Sequence, residues 1–293
     1  MNMIPRRFIQ TWKVKAPLPA NFNYWSATFK AHNHDFEHLI LNDQDNRDFV
    51  AKHCPAFLPI YDEFDSEILR ADAVRPFYLF FLGGFYADMD FECLGSFEKY
   101  RSLDGPVLGS MGTDPTFEHS VPNALMGSPP GETFWLLYAA RIARYSAARR
   151  GQRPEYMTGP VVLKECVVYY QSDKDSAVAE ALQFANEYLP PDSLKGLRTS
   201  EISVLPGVEW YPLDWNDGIH QRFREDLIRR KHMLNREEVD LLFSRSTAVT
   251  YWSHSWERTP TKLEGLLSKS GLSSRFGAVV RLMRRSRGVG VSR

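Results

Sequence analysis

Apolar and aromatic positions crowd the start of the chain, from Ile4 to Trp12, and the run Arg7 to Gln10 predicts a first, buried strand. Asn21 to His34 mixes aromatic and polar residues and reads as a helix or a loop. Glu37 to Leu41 predicts a second strand, closed by the turn-forming pair Asn42-Asp43. A short helix is expected over Asn46 to Lys52. A longer one should start near Asp65 or Ser66, either of which can cap free backbone N–H groups. Ile68, Leu69, Ala73, Val74, Phe77 and Phe81 then recur at helical spacing, with Pro76 predicting a kink or break because proline lacks the N–H donor and crowds the preceding turn. Gly83-Gly84 ends that segment, and Phe85 to Ala87 reads as a short strand running into Asp88. Glu132 to Arg149 has strong helical periodicity. Val161 to Leu163 fits either a strand or the start of a helix reaching Tyr170. Ser176 to Tyr188 and Ile219 to Met233 also read as helices. Strands alternating with helices indicate an α/β architecture.

Composition changes this picture little. Hydrophobic residues make up 43% of the chain and charged residues 25%, which suffices for an ordinary packed core. Basic and acidic residues balance at 36 each, so no global field draws the chain to nucleic acid. Charge is uneven only at the end: no acid follows Glu264, while Arg275, Arg281, Arg284, Arg285, Arg287 and Arg293 crowd the tail. Mixed with Phe276, Val279, Val280, Leu282 and Met283, they fit either a disordered tail or a basic amphipathic helix touching an anionic membrane. Cys54, Cys93 and Cys166 are far apart and odd in number, giving neither a zinc pattern nor a disulfide framework. No signal peptide or spanning segment is evident, so the expected location is cytoplasmic, with a membrane-surface association through the tail as an option.

Candidate chemistry centres on Asp88-Met89-Asp90. Two acids at i and i+2, placed where a strand gives way to a loop, can converge on one hard cation. Mn2+ or Mg2+ suits such a site, taking one or two carboxylates together with phosphate oxygens. An isolated Asp-x-Asp is a weak signal, because such triplets are common on surfaces. Nearby, Asp72 and Arg75 stand three residues apart and can share one helical face, and arginine offers a forked donor suited to phosphate. Gly83-Gly84 permits positive φ and close backbone approach just before the acids.

The string Arg70-Ala71-Asp72-Ala73-Val74-Arg75, followed by Leu82-Gly83-Gly84-Phe85-Tyr86-Ala87-Asp88-Met89-Asp90, resembles the signature of the family 32 glycosyltransferases. In that family a helix carrying R-x-D-x-x-R leads through G-G-x-Y to D-x-D. Ile4-Pro5-Arg6-Arg7-Phe8-Ile9-Gln10-Thr11-Trp12-Lys13 is similar to its opening strand. Pro122 to Ser128 and Thr158-Gly159-Pro160 resemble its mid-chain motifs, and His254-Ser255-Trp256 its closing one. Fungal inositol-phosphoceramide and initiating mannosyltransferases belong to this group, and clostridial glucosylating toxins share its core pattern.

The resemblance implies a GT-A fold, a Rossmann-like nucleotide-sugar-binding α/β sandwich, over residues 1–262, with 263–293 as the basic tail. It also implies retaining transfer of a hexose from GDP-mannose or a UDP-hexose to a glycan or lipid-linked acceptor. Asp88, Asp90 and Arg75 are then the catalytic set. Asp90 would ligate the metal directly, and Asp88 would bind ribose or sugar and reach the metal through water. His254 would be a further ligand, with Ser253 and Ser255 as neighbouring candidates. Trp12 would lie against the base, Asp72 and Arg75 against the donor sugar, and Trp256 over the diphosphate. Gly84, Tyr86, Asn123, Thr158 and Gly159 complete the expected donor site. The competing readings are a metal-dependent hydrolase of nucleotide-sugars or phosphoesters, and a carbohydrate-binding relative that has lost catalysis.

Overall fold

The computed structural model describes residues 3–14, 17–215, 217–230 and 236–253. The expectations placed on His254, Trp256 and the basic tail lie outside the described residues.

Strand β1 (Arg7–Thr11) is followed by α1 (Ala20–His32), β2 (Glu37–Leu41), α2 (Asp43–His53) and the short α3 (Leu58–Asp62). Asn42 and Asp45 form a reciprocal cap on α2, so the predicted turn also starts a helix. Helix α4 (Glu67–Phe81) begins after Ser66, which holds the N-cap position without a side-chain hydrogen bond. It does not break at Pro76. The missing N–H leaves one carbonyl without its helical donor, but the residues from Asp72 to Phe80 are all buried. Packing against α2 and α5 keeps the helix going across the proline, and it stops at Leu82.

Next come β3 (Gly84–Ala87), β4 (Phe91–Cys93), β5 (Val107–Gly109) and β6 (Leu125–Ser128). Helices α5 (Thr133–Ala148), α6 (Pro154–Met157), α7 (Pro160–Ser172) and α8 (Lys174–Tyr188) follow. The two options at Val161 to Leu163 therefore resolve as helix, with Pro160 in the first turn, where its missing N–H costs nothing. Strand β7 (Ser203–Leu205), α9 (Gly207–Trp210), α10 (Gly218–Arg230), α11 (Arg236–Leu242) and β8 (Ala248–Thr250) complete the order.

Six strands form one sheet in the order β2-β1-β3-β6-β5-β7, and β4 pairs with β8 in a second. In the large sheet β1 is parallel to β2 and β3, and β5 to β7, whereas β6 runs antiparallel to both neighbours. Alternation along the strands divides the core. Ile9, Tyr86, Met126 and Leu108 face the layer of α2, α4, α5, α7 and α8. Phe8, Phe85, Leu125 and Val107 face Phe29, Phe97 and Trp210 on the other side. This is an α/β sandwich, the class expected from the sequence. Cys54, Cys93 and Cys166 are free thiols, all buried. Among the described residues no helix is long and apolar enough to cross a membrane.

Candidate active site

The C-terminal end of β3 delivers Asp88, and α4 lies alongside to bring Asp72 and Arg75. Gly83 and Gly84 turn the chain between them with φ of 62° and 102°. A Cβ at Gly84 would sit 2.7 Å from the Arg7 carbonyl oxygen, so this glycine allows β3 to close against β1. Its tight approach is to the neighbouring strand.

Arg75 is the hub. Its Nη2 lies 2.8 Å from Asp72 Oδ1 and 3.0 Å from Asp88 Oδ1, and its Nη1 donates to the Asn123 carbonyl at 2.8 Å. The guanidinium stacks over the Tyr86 ring at 4.6 Å, and the Tyr86 hydroxyl donates to Asp88 Oδ1 at 2.8 Å. Asp72 is fixed from two further directions: Asn123 Nδ2 donates to Oδ1 and Thr158 Oγ1 to Oδ2, both at 3.2 Å. Tyr138 from α5 ties these segments together, accepting from Asn123 and donating to the Thr158 carbonyl. Gly159 fits because a Cβ there would meet the Glu155 backbone at 2.9 Å, with Asp72 Oδ2 at 3.4 Å.

Burial opposes the Arg75 charge, but the Asp72 and Asp88 carboxylates outweigh it and raise the pKa above its ordinary value. The Asp72 carboxyl is pushed up by burial, with Arg75 and the two hydrogen bonds opposing. Burial pushes Asp88 up to about 7; Arg75 opposes this, while Asp90 and Asp72 add to it. The Asp88 side chain keeps 30% of its surface exposed, and so can meet a ligand.

Asp90 is held from the far end of the described chain. Ser253 donates to its Oδ2 through both N–H (2.7 Å) and Oγ (3.1 Å), and Thr250 Oγ1 reaches its Oδ1 at 3.4 Å. Behind Asp88, the buried Gln10 donates Nε2 to the Asp88 carbonyl at 3.3 Å. Gln10 is itself anchored by Ser26 and His38 on its Oε1. The donor set is hard oxygen, which suits Mn2+ or Mg2+. No group of three or more His, Cys, Asp or Glu converges among the described residues.

The expected residues Asp72, Arg75, Tyr86, Asp88, Asn123, Thr158 and Gly159 are thus one hydrogen-bonded constellation. Trp12 stands just past Thr11, whose hydroxyl bonds Tyr86, and packs on Phe22 with ring centroids 4.7 Å apart. Sequence reasoning missed Gln10 as an anchor, Tyr138 as a strut, and Tyr211, whose hydroxyl bonds the Leu125 backbone beside the site. It also missed the buried Arg224 of α10, within electrostatic reach of Asp90. Tyrosines at helical spacing carry the same pattern as core residues, so no sequence signal distinguished Tyr138. Ser253, one of three candidates in the closing motif, now has a contact to Asp90.

Residues 19–105, which include Asp72, Arg75, Asp88 and Asp90, match the family described as glycosyltransferase sugar-binding region containing DXD motif. The chain matches this family over less than half of its own length. Its relatives include inositol phosphoceramide mannosyltransferase 2 of Schizosaccharomyces pombe, 30% identical over 142 residues, covering 48% of this chain and 39% of that protein. Mannosyl phosphorylinositol ceramide synthase CSH1 of Saccharomyces cerevisiae is 30% identical over 191 residues, covering 62% of this chain and 46% of that protein. The chain thus spans less than half the length of these two relatives. Among solved structures it is similar to the PaToxG glycosyltransferase, with a TM-score of 0.47 and 16% identity, covering 66% of this chain and 83% of that one.

Proposed function

We propose that this chain is a glycosyltransferase, specifically a retaining, metal-dependent hexosyltransferase. Its donor is a nucleotide-sugar, GDP-mannose or a UDP-hexose, and its acceptor a hydroxyl of a glycan or glycolipid. The observation that carries this reading is the buried Asp72–Arg75–Asp88 chain, with Asp88 partly open to solvent and Asp90 clamped by Ser253. Such preorganised charges suit a ligand that brings both hydroxyls and phosphates. Asp90 would hold a divalent cation directly and Asp88 through water. The cation, when bound, neutralises charge on the leaving diphosphate. Asp72 accepts from sugar hydroxyls while Arg75 keeps both carboxylates oriented, and Trp12 offers an indole near the base. The relatives' names favour a mannosyl donor and a lipid-linked acceptor.

Thermal shift with GDP-mannose and a panel of UDP-hexoses, with and without Mn2+, tests this. A Mn2+-dependent rise in Tm is expected with one donor, since a ligand at a hundred times its Kd adds about 2.7 kcal/mol of stability. Asp90→Ala should abolish that rise and lower transfer about a hundredfold or more while leaving the unliganded Tm nearly unchanged. A flat response to every donor, or near-normal turnover by Asp90→Ala, would sink the reading.

A further inference from the structure

The segment from Ser110 to Val121, between β5 and β6, is pinned against α6 and α7. Lys164 donates to the carbonyls of Pro115 and Phe117 at 2.7 and 2.6 Å, and the Tyr156 hydroxyl donates to Glu118. Within this segment His119 is only 5% exposed, and its Nε2 has no hydrogen-bond partner. Glu118 Oε1 stands 3.6 Å from that nitrogen, too far for a hydrogen bond. On α6, Glu155 gives one carboxylate oxygen to Arg153, while its Oε2 is buried and unpartnered. Buried polar atoms are nearly always satisfied, and these two, of eight such atoms among the described residues, stand on adjoining segments beside Asp72.

Their position supplies the context. Glu155 stands three residues before Thr158, which bonds Asp72, and His119 four residues before Asn123, which also bonds Asp72. Glu155 is close enough to Asp72 and to His119 to influence both electrostatically. The Trp215 indole stacks on His119 with centroids 4.8 Å apart and planes at 17°, and Trp252, next to Ser253, lies 6.5 Å beyond. An aromatic wall therefore runs from the Asp90 clamp to the unsatisfied pair.

We propose that His119 and Glu155, with Trp215 behind them, form an acceptor subsite for a cyclic polyol, a pyranose or inositol ring. The Glu155 carboxylate accepts from a ring hydroxyl. The neutral imidazole donates to or accepts from another, according to its tautomer. The aromatic wall offers a face to the C–H side of the ring. This inference rests on the transfer reading for its biological meaning, but its test does not.

The full chain is titrated with methyl α-D-mannopyranoside and with myo-inositol, in the presence of Mn2+ and GDP or UDP. Binding is followed by tryptophan fluorescence and saturation-transfer NMR. Saturable binding of one polyol is expected, weakened at least tenfold by Glu155→Gln and by His119→Phe, with nucleotide affinity and Tm unchanged. Glu155→Gln keeps the shape of the side chain, so it remains informative should His119→Phe fold poorly. No saturable polyol binding by the wild type, or equal binding by Glu155→Gln, would overturn the subsite. So would a loss confined to nucleotide-sugar affinity, which would assign the pair to the donor. Nucleotide-sugar binding measured alongside reports separately on the transfer reading.

Discussion

Asp88 Oδ1 accepts from both Arg75 and Tyr86, yet burial, with Asp90 and Asp72 nearby, still pushes its pKa up to about 7. A raised carboxylate pKa means that the folded chain holds a proton the unfolded chain has already released. The stability this confers is present at low pH and lost as the pH rises to about 7. A cation and that proton compete for the same carboxylate. Mn2+ affinity should therefore weaken by up to about tenfold per pH unit below pH 7 and level off above it. Calorimetric titration at pH 6, 7 and 8 checks this, and equal dissociation constants at pH 6 and 8 would contradict it. At this scale Asp72, Arg75, Asp88 and Asp90 stand out in the sequence through their resemblance to a family motif, since Asp-x-Asp alone is a weak signal. Gln10, Tyr138 and Arg224 are not, because a buried polar residue is recognised by its partner, and the partner is remote.

At the scale of elements, the long periodic segments match their expected types. Strand β2 matches its predicted bounds, and α5 and α8 lie within two residues of theirs. The three- and four-residue strands β4 to β8 escape notice because so few positions carry no readable alternation. Pro76 shows the opposite case, in which a strong local signal yields to burial on both sides of it. The junction of α4 and β3 is where local chemistry and packing agree. Gly84 needs both a φ of 102° and the absence of a Cβ against the Arg7 carbonyl. Gly84→Ala should cost more than about 2 kcal/mol, seen as a lower urea midpoint at unchanged m-value. A variant as stable as the parent would show that β1 and β3 tolerate separation there.

For the whole molecule, the basic tail after Glu264 is a separable hypothesis. Removing residues 275–293 should abolish co-sedimentation with anionic liposomes at low salt while leaving nucleotide-sugar binding intact. Equal liposome binding with and without those residues would refute the anchor. The sequence alone determined the α/β class and the long helices, because periodicity is a property of neighbouring residues, and it singled out the carboxylate–arginine set by its resemblance to a family motif. Only the tertiary structure decided that Asn123 and Thr158 meet on Asp72, 51 and 86 residues away, and that Ser253 clamps Asp90 across 163. The strand order β2-β1-β3-β6-β5-β7 and the pairing of β4 with β8 bring those segments together. That order is set by how whole faces bury against one another, which no local pattern records.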